Sequence, residues 1–340
     1  MTAGHAKLSG KRPSGGLVLG IDAGNTKTIA LIADASGTVL GWGRAGAANI
    51  YVSKPRATLA LDQAVQAARS RAGLGDVPFQ AVTLSATGAD WPEDFLLLGE
   101  LLTGRGWGEC SQVVNDAVGA LRAGTLEGLG VAVACGTSAG VAARAPGGPA
   151  WHSSYWQEPE GANELAQFAL RAVYRAELDI DPPTSLTARV LAHYRQESPE
   201  SLLHALTRRD RRPPRRLGLL ARILLDEAQA GDETSLKIVC KHAHSLGDYA
   251  LAAARKVGLT GPYTLVTSGG VMRHPSPVLI RAMMDRVRAT NPEVQWQASR
   301  HEPVFGALLL ALEQARHPVD LELLARLEAT CPDESVFQTG

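Results

Sequence analysis

The sequence predicts an α/β protein made of two related halves, and three observations predict it. An apolar strand runs into a turn of small and polar residues and doubles back at Leu17-Val18-Leu19-Gly20-Ile21-Asp22-Ala23-Gly24-Asn25-Thr26-Lys27-Thr28-Ile29-Ala30. The same layout restarts at Leu129-Gly130-Val131-Ala132-Val133-Ala134-Cys135-Gly136-Thr137-Ser138-Ala139-Gly140-Val141, a faint internal duplication about one domain apart. The chain has 340 residues, and at about 150 residues per domain that is room for two.

The elements follow in order. Residues 17–23 and 28–34 are apolar runs. A third at Val39 to Gly43 follows the turn Ala35-Ser36-Gly37-Thr38, which makes an antiparallel meander. Residues 56–73 have helical spacing, with Leu59, Val65 and Ala68 on one face and Gly73 as the stop. Residues 79–86 read as a buried strand, 92–105 as a helix, 111–115 as a strand ending at Asn115-Asp116, and 117–123 as a short helix. After the restarted hairpin, helices are predicted at 161–178, 184–195, 215–230 and 233–257. A buried strand at 263–268 then leads into Gly269-Gly270-Val271. Residues 277–289 are helical, and Glu302 to Ala315 form a last apolar helix.

Composition narrows the function class. Hydrophobic residues make up 45%, charged residues 20%, and the net charge is +0, so no global field draws the chain to nucleic acid or a membrane. The run Arg208-Arg209-Asp210-Arg211-Arg212-Pro213-Pro214-Arg215-Arg216 reads as a solvated connector between helices, because it lacks the interleaved aromatics of a nucleic-acid face. The cysteines, Cys110, Cys135, Cys240 and Cys331, are scattered and form no metal or redox spacing. Residues 1–15 read as a disordered polar tail with no signal-type apolar stretch, and a cytoplasmic protein is expected.

Four motifs carry chemistry. At Asp22 to Thr28 a glycine-containing turn lets backbone N–H groups approach phosphate oxygens. Thr26 and Thr28 add hydroxyls, Lys27 adds charge, and Asp22 at the strand end is placed to hold Mg2+ through water. An ordinary hairpin with a buried aspartate explains the same residues. A P-loop does not, because the GxxxxGK[ST] spacing fails and the residues after the turn are strand-like. At Asn115-Asp116 an apolar strand ends in a carboxylate that opens a helix. Such a group can take a proton from an attacking hydroxyl, and it also serves as an N-cap. Gly136-Thr137-Ser138 is a second small turn suited to phosphates, and Gly269-Gly270-Val271 is a strand-to-helix turn able to pass close to a nucleoside.

In that order, and closing on Glu302-Pro303-Val304-Phe305-Gly306-Ala307, the motifs resemble the BadF/BadG/BcrA/BcrD ATPase family of the sugar kinase–actin–Hsp70 superfamily. Its best-understood enzymes are N-acetylglucosamine kinases. The resemblance spans residues 17 to about 316. It implies two RNase H-like, actin-like ATPase domains with a central cleft for ATP and Mg2+. The N-terminal one would span 16–118, completed by a C-terminal helix 303–316, and the other 119–302. It further implies Asp22, Gly24, Asn25, Thr26 and Lys27 as the first phosphate loop and Asp116 as catalytic base. Gly136, Thr137 and Ser138 would be the second phosphate loop, with Gly269, Gly270 and Val271 near the adenosine. The stretch Glu227 to Asp232 resembles the family's helix end near adenine. A small-molecule acceptor and a homodimer are implied as well.

On the acceptor side, Asn49 and the Thr87-Gly88-Ala89-Asp90 loop resemble sugar-contacting segments, although Asn49 also suits a turn. The family's Gly-Asp-Glu-Gly-Ser motif aligns with Trp156-Gln157-Glu158-Pro159-Glu160-Gly161-Ala162. Glu160 is kept there, Pro159 stands where a sugar-binding aspartate is expected, and Glu158 and the ring of Trp156 are candidate replacements. The function expected is transfer of the γ-phosphate of ATP to a hydroxyl of an amino sugar such as N-acetylglucosamine. The other readings are an ATPase module acting on a partner protein, like the 2-hydroxyacyl-CoA dehydratase activators but without their iron–sulfur cysteines, and a type III pantothenate kinase.

Overall fold

The computed structural model describes residues 16–156, 160–209 and 217–337. The expected tail 1–15, most of the arginine-rich connector, and Gln157, Glu158 and Pro159 lie outside the described residues.

The first half is a meander followed by two parallel strands: β1 (Leu17–Ala23), β2 (Thr28–Asp34), β3 (Val39–Ala45), α1 (Ile50–Ala72), β4 (Phe79–Ala86), α2 (Pro92–Arg105) and β5 (Gly108–Asn115). Then come α3 (Asp116–Gly124), β6 (Gly130–Cys135), β7 (Ala139–Arg144), β8 (Trp151–His152), α4 (Ala162–Glu177), α5 (Leu186–Tyr194), α6 (Pro199–Thr207), α7 (Leu219–Ala230) and α8 (Glu233–Lys256). The chain ends with β9 (Thr264–Ser268), α9 (Val278–Arg288), β10 (Gln295–Ala298), α10 (Pro303–Gln314) and α11 (Leu321–Thr330).

The strands make two five-stranded sheets, ordered β3-β2-β1-β4-β5 and β10-β9-β6-β7-β8. Read from the other edge, the second is β8-β7-β6-β9-β10, the same order as the first. In both, the first three strands pair antiparallel and the last two join in parallel. The repeat read from the two hairpins is therefore a repeat of topology. The central strand of each sheet, β1 or β6, delivers its glycine-containing turn to the carboxyl end, where open α/β sheets bind ligands.

One face of the first sheet is covered by α1 and α2 around Leu19, Ile21, Leu61, Val65, Leu84 and Leu98. The other face is covered by α10 and α11 with Val18, Ile29, Leu31, Leu308, Leu312 and Leu327. Every residue from Val304 to Leu312 is buried, which explains why that helix reads as apolar all round. Gly20 lets the α10 backbone lie directly on β1, since an added Cβ would fall on Leu308. Gly306 does the same against Gly119 of α3. A third core joins β6, β7 and β9 with α4, α5, α7, α8 and α9.

Several elements differ from expectation. The helix predicted at 56–73 has an extra leading turn from Ile50. It is broken by extended Ser53 and restarted by Pro55. Helix 302–315 is not the last, because α11 and a short 3-10 turn at 334–336 follow it. Strands β8 and β10 were not legible, being edge strands of two and four residues, and the four of β10 are all exposed. Helix α6 was also missed, although Ser198 before Pro199 is a regular N-cap.

Candidate active site

The two turns face each other. In the first, Gly24 N–H donates to the Lys27 carbonyl at 2.9 Å. In the second, Gly136 N–H donates to the Ser138 carbonyl at 2.9 Å. Asn25 Nδ2 reaches across to Ser138 Oγ at 2.9 Å. The first turn of α4 is latched onto the second loop, Ala162 N–H to the Gly136 carbonyl at 2.8 Å and Asn163 N–H to the Thr137 carbonyl at 3.3 Å. Gly269, with φ +96, brings the β9 turn against the Cys135 backbone, and Val271 N–H donates to the Cys135 carbonyl at 3.0 Å.

Between the sheets lies an open cleft of about 1920 Å³. Asp22, Gly24, Asn25, Thr26 and Lys27 line it, as do Thr87 and Asp116, the turn Gly136, Thr137 and Ser138, and the turn Gly269, Gly270 and Val271. The sequence had singled out every one of these. A Cβ added at Gly136 or Gly270 would meet no atom within 4 Å. The backbone there is bare toward the open space, a cradle of the kind that phosphate and sugar oxygens fill.

The carboxylates are unusual. Asp22 is buried, and burial with the nearby charge of Asp116 pushes it up to about 7, only partly offset by Lys27. Asp116 is raised too, chiefly by burial, against hydrogen bonds that favour its charged form. One of these comes from Thr87, whose hydroxyl donates to Asp116 Oδ2 at 2.5 Å. Neither carboxylate has a salt bridge among the described residues, and no group of three or more His, Cys, Asp or Glu side chains that could hold a metal by themselves occurs among them. Two carboxylates alone fit a hard divalent cation only if phosphate oxygens supply further ligands. Lys27 is lowered by burial, lies 3.6 Å from Glu302, and donates to the Phe337 carbonyl.

Not every predicted residue lines the cleft. Asn49 caps α1, accepting from Tyr51 N at 2.8 Å, and donates to Asn25 Oδ1 at 2.7 Å, so it braces the first loop. Gly88 is buried with φ +86, packed under Asn49 and Ile50. Glu160 is exposed, its N–H donating to Glu164. Trp156 is exposed and packs on Tyr155, ring centroids 5.6 Å apart. The segment Glu227 to Asp232 is turned away: Glu227 accepts from the Ser185 hydroxyl and Asp232 caps α8. The part of α7 at the cleft is one to two turns earlier, at Ala221, Arg222 and Leu225.

Sequence reasoning missed Arg44, Arg222, Arg273 and His274, which also line the cleft, and it read Glu302 only as the opening of the last motif, with no role in the site. Arg273 pairs with Glu302 at 2.7 Å and lies three residues beyond Gly270, a spacing that could have flagged it. Arg44 and Arg222 carried no local signal, because their neighbours in space are distant in sequence.

Two like-ordered sheets facing each other across a glycine-lined, carboxylate-bearing cleft define a two-domain α/β fold of the actin-like ATPase class. The family model for the BadF/BadG/BcrA/BcrD ATPases matches residues 19–311, and the chain belongs to that family. It is 26% identical over 320 residues to the N-acetyl-D-glucosamine kinase of Dictyostelium discoideum, covering 88% of this chain and 99% of that relative. It is 24% identical over 304 residues to the N-acetylmuramic acid/N-acetylglucosamine kinase of Clostridium acetobutylicum, covering 86% and 97%. Among solved structures, a candidate N-acetylglucosamine kinase from Chromobacterium violaceum aligns with a TM-score of 0.66 at 22% identity, over 88% of this chain and 100% of that one.

Proposed function

We propose that the chain is an ATP-dependent sugar kinase that transfers the terminal phosphoryl group to a hydroxyl of an amino sugar of the N-acetylglucosamine or N-acetylmuramic acid class. The single observation that carries the reading is the pair of opposed turns with Asp116 beside them. Both turns put small residues at the cleft wall, the second with its backbone bare at Gly136, and Asp116 lines the same cleft.

Asp116 is the general base. Burial raises its pKa above the ordinary carboxylate value, which makes it a stronger base toward the attacking sugar hydroxyl, and the Thr87 hydroxyl fixes its orientation. The new bond joins the sugar oxygen to phosphorus, the bond from phosphorus to the ADP oxygen breaks, and Asp116 holds the proton until it returns to solvent. The backbone of Gly24 to Lys27 and of Gly136 to Ser138 holds the phosphates in line. Asp22 would hold Mg2+ with the nucleotide, and the ion would supply charge neutralisation there. Gly269, Gly270 and Val271 pass beside the nucleoside, with the first turn of α7 opposite.

The division of the chain belongs to the same reading: one domain of 16–118 completed by 303–316, the other 119–302. Packing of α10 on the first sheet, against Val18, Ile29 and Leu31, supports it, as does the repeated strand order. Asn49, Gly88, Glu160 and Trp156 remain acceptor-side candidates within it, as does Glu158. No described helix is long and apolar enough to cross a membrane.

The test is ADP release by the purified chain against a panel of amino sugars, hexoses and pantothenate, with MgATP. The proposal expects stimulation by at least one amino sugar. Stimulation by pantothenate alone, or by no compound, contradicts it.

A further inference from the structure

The sequence leaves the acceptor carboxylate in question, because Pro159 stands where one is expected. The fold brings a different one forward. Asp90 closes the β4–α2 loop, half-buried, and Asn115 Nδ2 donates to its Oδ1 at 3.2 Å. Asn115 immediately precedes Asp116, so the two acids flank one buried amide. Burial, with the charges of Asp116 and Asp94, pushes Asp90 up to about 6, and no salt bridge to it occurs among the described residues. The same amide reaches the other half of the molecule, where Ser154 Oγ donates to Asn115 Oδ1 at 3.2 Å.

Beside that polar bridge stands an aromatic one. Trp91, next in sequence to Asp90 and 47% exposed, packs against Tyr155 with ring centroids 4.9 Å apart. Tyr155 in turn touches Trp156 at 5.6 Å and His152 at 5.4 Å. Trp91 and Asp90 are held by Asp94, whose carboxylate accepts from both backbone N–H groups at 2.8 and 3.3 Å and from the Tyr51 hydroxyl at 2.6 Å. A carboxylate with accepting capacity to spare, next to a rigidly seated indole, is a combination that recognises carbohydrate. The carboxylate takes hydroxyl hydrogens and the ring covers the apolar C–H face.

We propose that Asp90 and Trp91 are the specificity-determining anchor for the acceptor sugar, with Tyr155 completing the ring wall from the opposite half. The inference rests on the sugar-kinase reading and deepens it: within the Thr87-Gly88-Ala89-Asp90 loop it singles out Asp90, and it adds Trp91 and Tyr155, which that reading does not use. It also assigns a role to the cross-cleft contact: a sugar seated there touches both halves, so binding it couples to the closure of one upon the other.

The experiment is steady-state kinetics of the full chain and its Asp90→Asn and Trp91→Ala variants on whichever panel sugar is turned over. It is paired with tryptophan-fluorescence titration of the same sugars without ATP. For both variants the expected result is a sugar KM raised about 10-fold or more, with the ATP KM unchanged and kcat within about 3-fold. Asp116→Asn should show the opposite split. Sugar KM values unchanged in both variants overturn the proposal, and so does a loss confined to kcat. If the wild type turns over no sugar but one quenches its fluorescence, and Asp90→Asn abolishes the quench, the kinase reading fails while the anchor stands. If no panel sugar binds at all, both fall. Trp91→Ala removes an exposed side chain and keeps the test open should Asp90→Asn fail to fold.

Discussion

At the residue scale the account turns on three buried or half-buried acids, Asp22 and Asp116 lining the cleft and Asp90 held against Asn115 beside them. Asp116 gives the sharpest prediction. Asp116→Asn should lower kcat by about 100- to 10,000-fold while leaving the KM values little changed, as read in the ADP-release assay. Asp22 gives a prediction about stability. Its ordinary value is 3.8 and its folded value about 7, so the folded chain holds the proton more tightly than the unfolded one. Its contribution is fully present below about pH 4 and is lost as pH rises through 7. Comparing wild type with Asp22→Asn by thermal unfolding without nucleotide, the variant should gain relative to wild type as pH rises from 5 to 8. A pH-independent difference contradicts the burial argument. The residues legible in the sequence were the glycines of small-residue turns that follow apolar strands, namely Gly24, Gly136, Gly269 and Gly270, of which Gly269 is fixed by its left-handed φ of +96. So were those whose position closes a strand, namely Asp22 and Asp116. Asp90 was less legible, because what marks it is its approach to Asn115 and Asp116 in space.

At the element scale, glycines separate the framework from the cradle. Gly306 and Gly119 bring α10 and α3 into backbone contact. Gly306→Ala should therefore cost about 1–3 kcal/mol or more of stability by overpacking, measured by denaturant unfolding. Gly136 faces open space at negative φ, so Gly136→Ala should leave the melting temperature nearly unchanged and raise the ATP KM roughly 10-fold. A Gly136→Ala variant that melts early but binds ATP normally would reverse that assignment. The same division explains which elements the sequence revealed. Strands 79–86 and helix 92–105 match residue for residue, because a buried strand and a Pro-started, Gly-ended helix each carry their own signals. Strands β8 and β10 carried none, since short edge strands are defined only by the neighbour they pair with.

At the scale of the whole molecule, duplication of one topology sets two turns opposite each other, and α10 ties the end of the chain back to its first sheet. The halves already touch through Asn25–Ser138 and Ser154–Asn115. Nucleotide and sugar together should slow amide exchange at residues 22–27 and 136–140 more than either alone, a hydrogen-exchange measurement that reads closure. The central claim is phosphoryl transfer to a sugar, and product stoichiometry tests it most directly. With MgATP and the stimulating amino sugar, phosphorus NMR should show one sugar phosphate formed per ADP with the wild type and almost none with Asp116→Asn. ADP formed without a phosphorylated sugar, or undiminished product from the Asp116→Asn variant, would contradict the account.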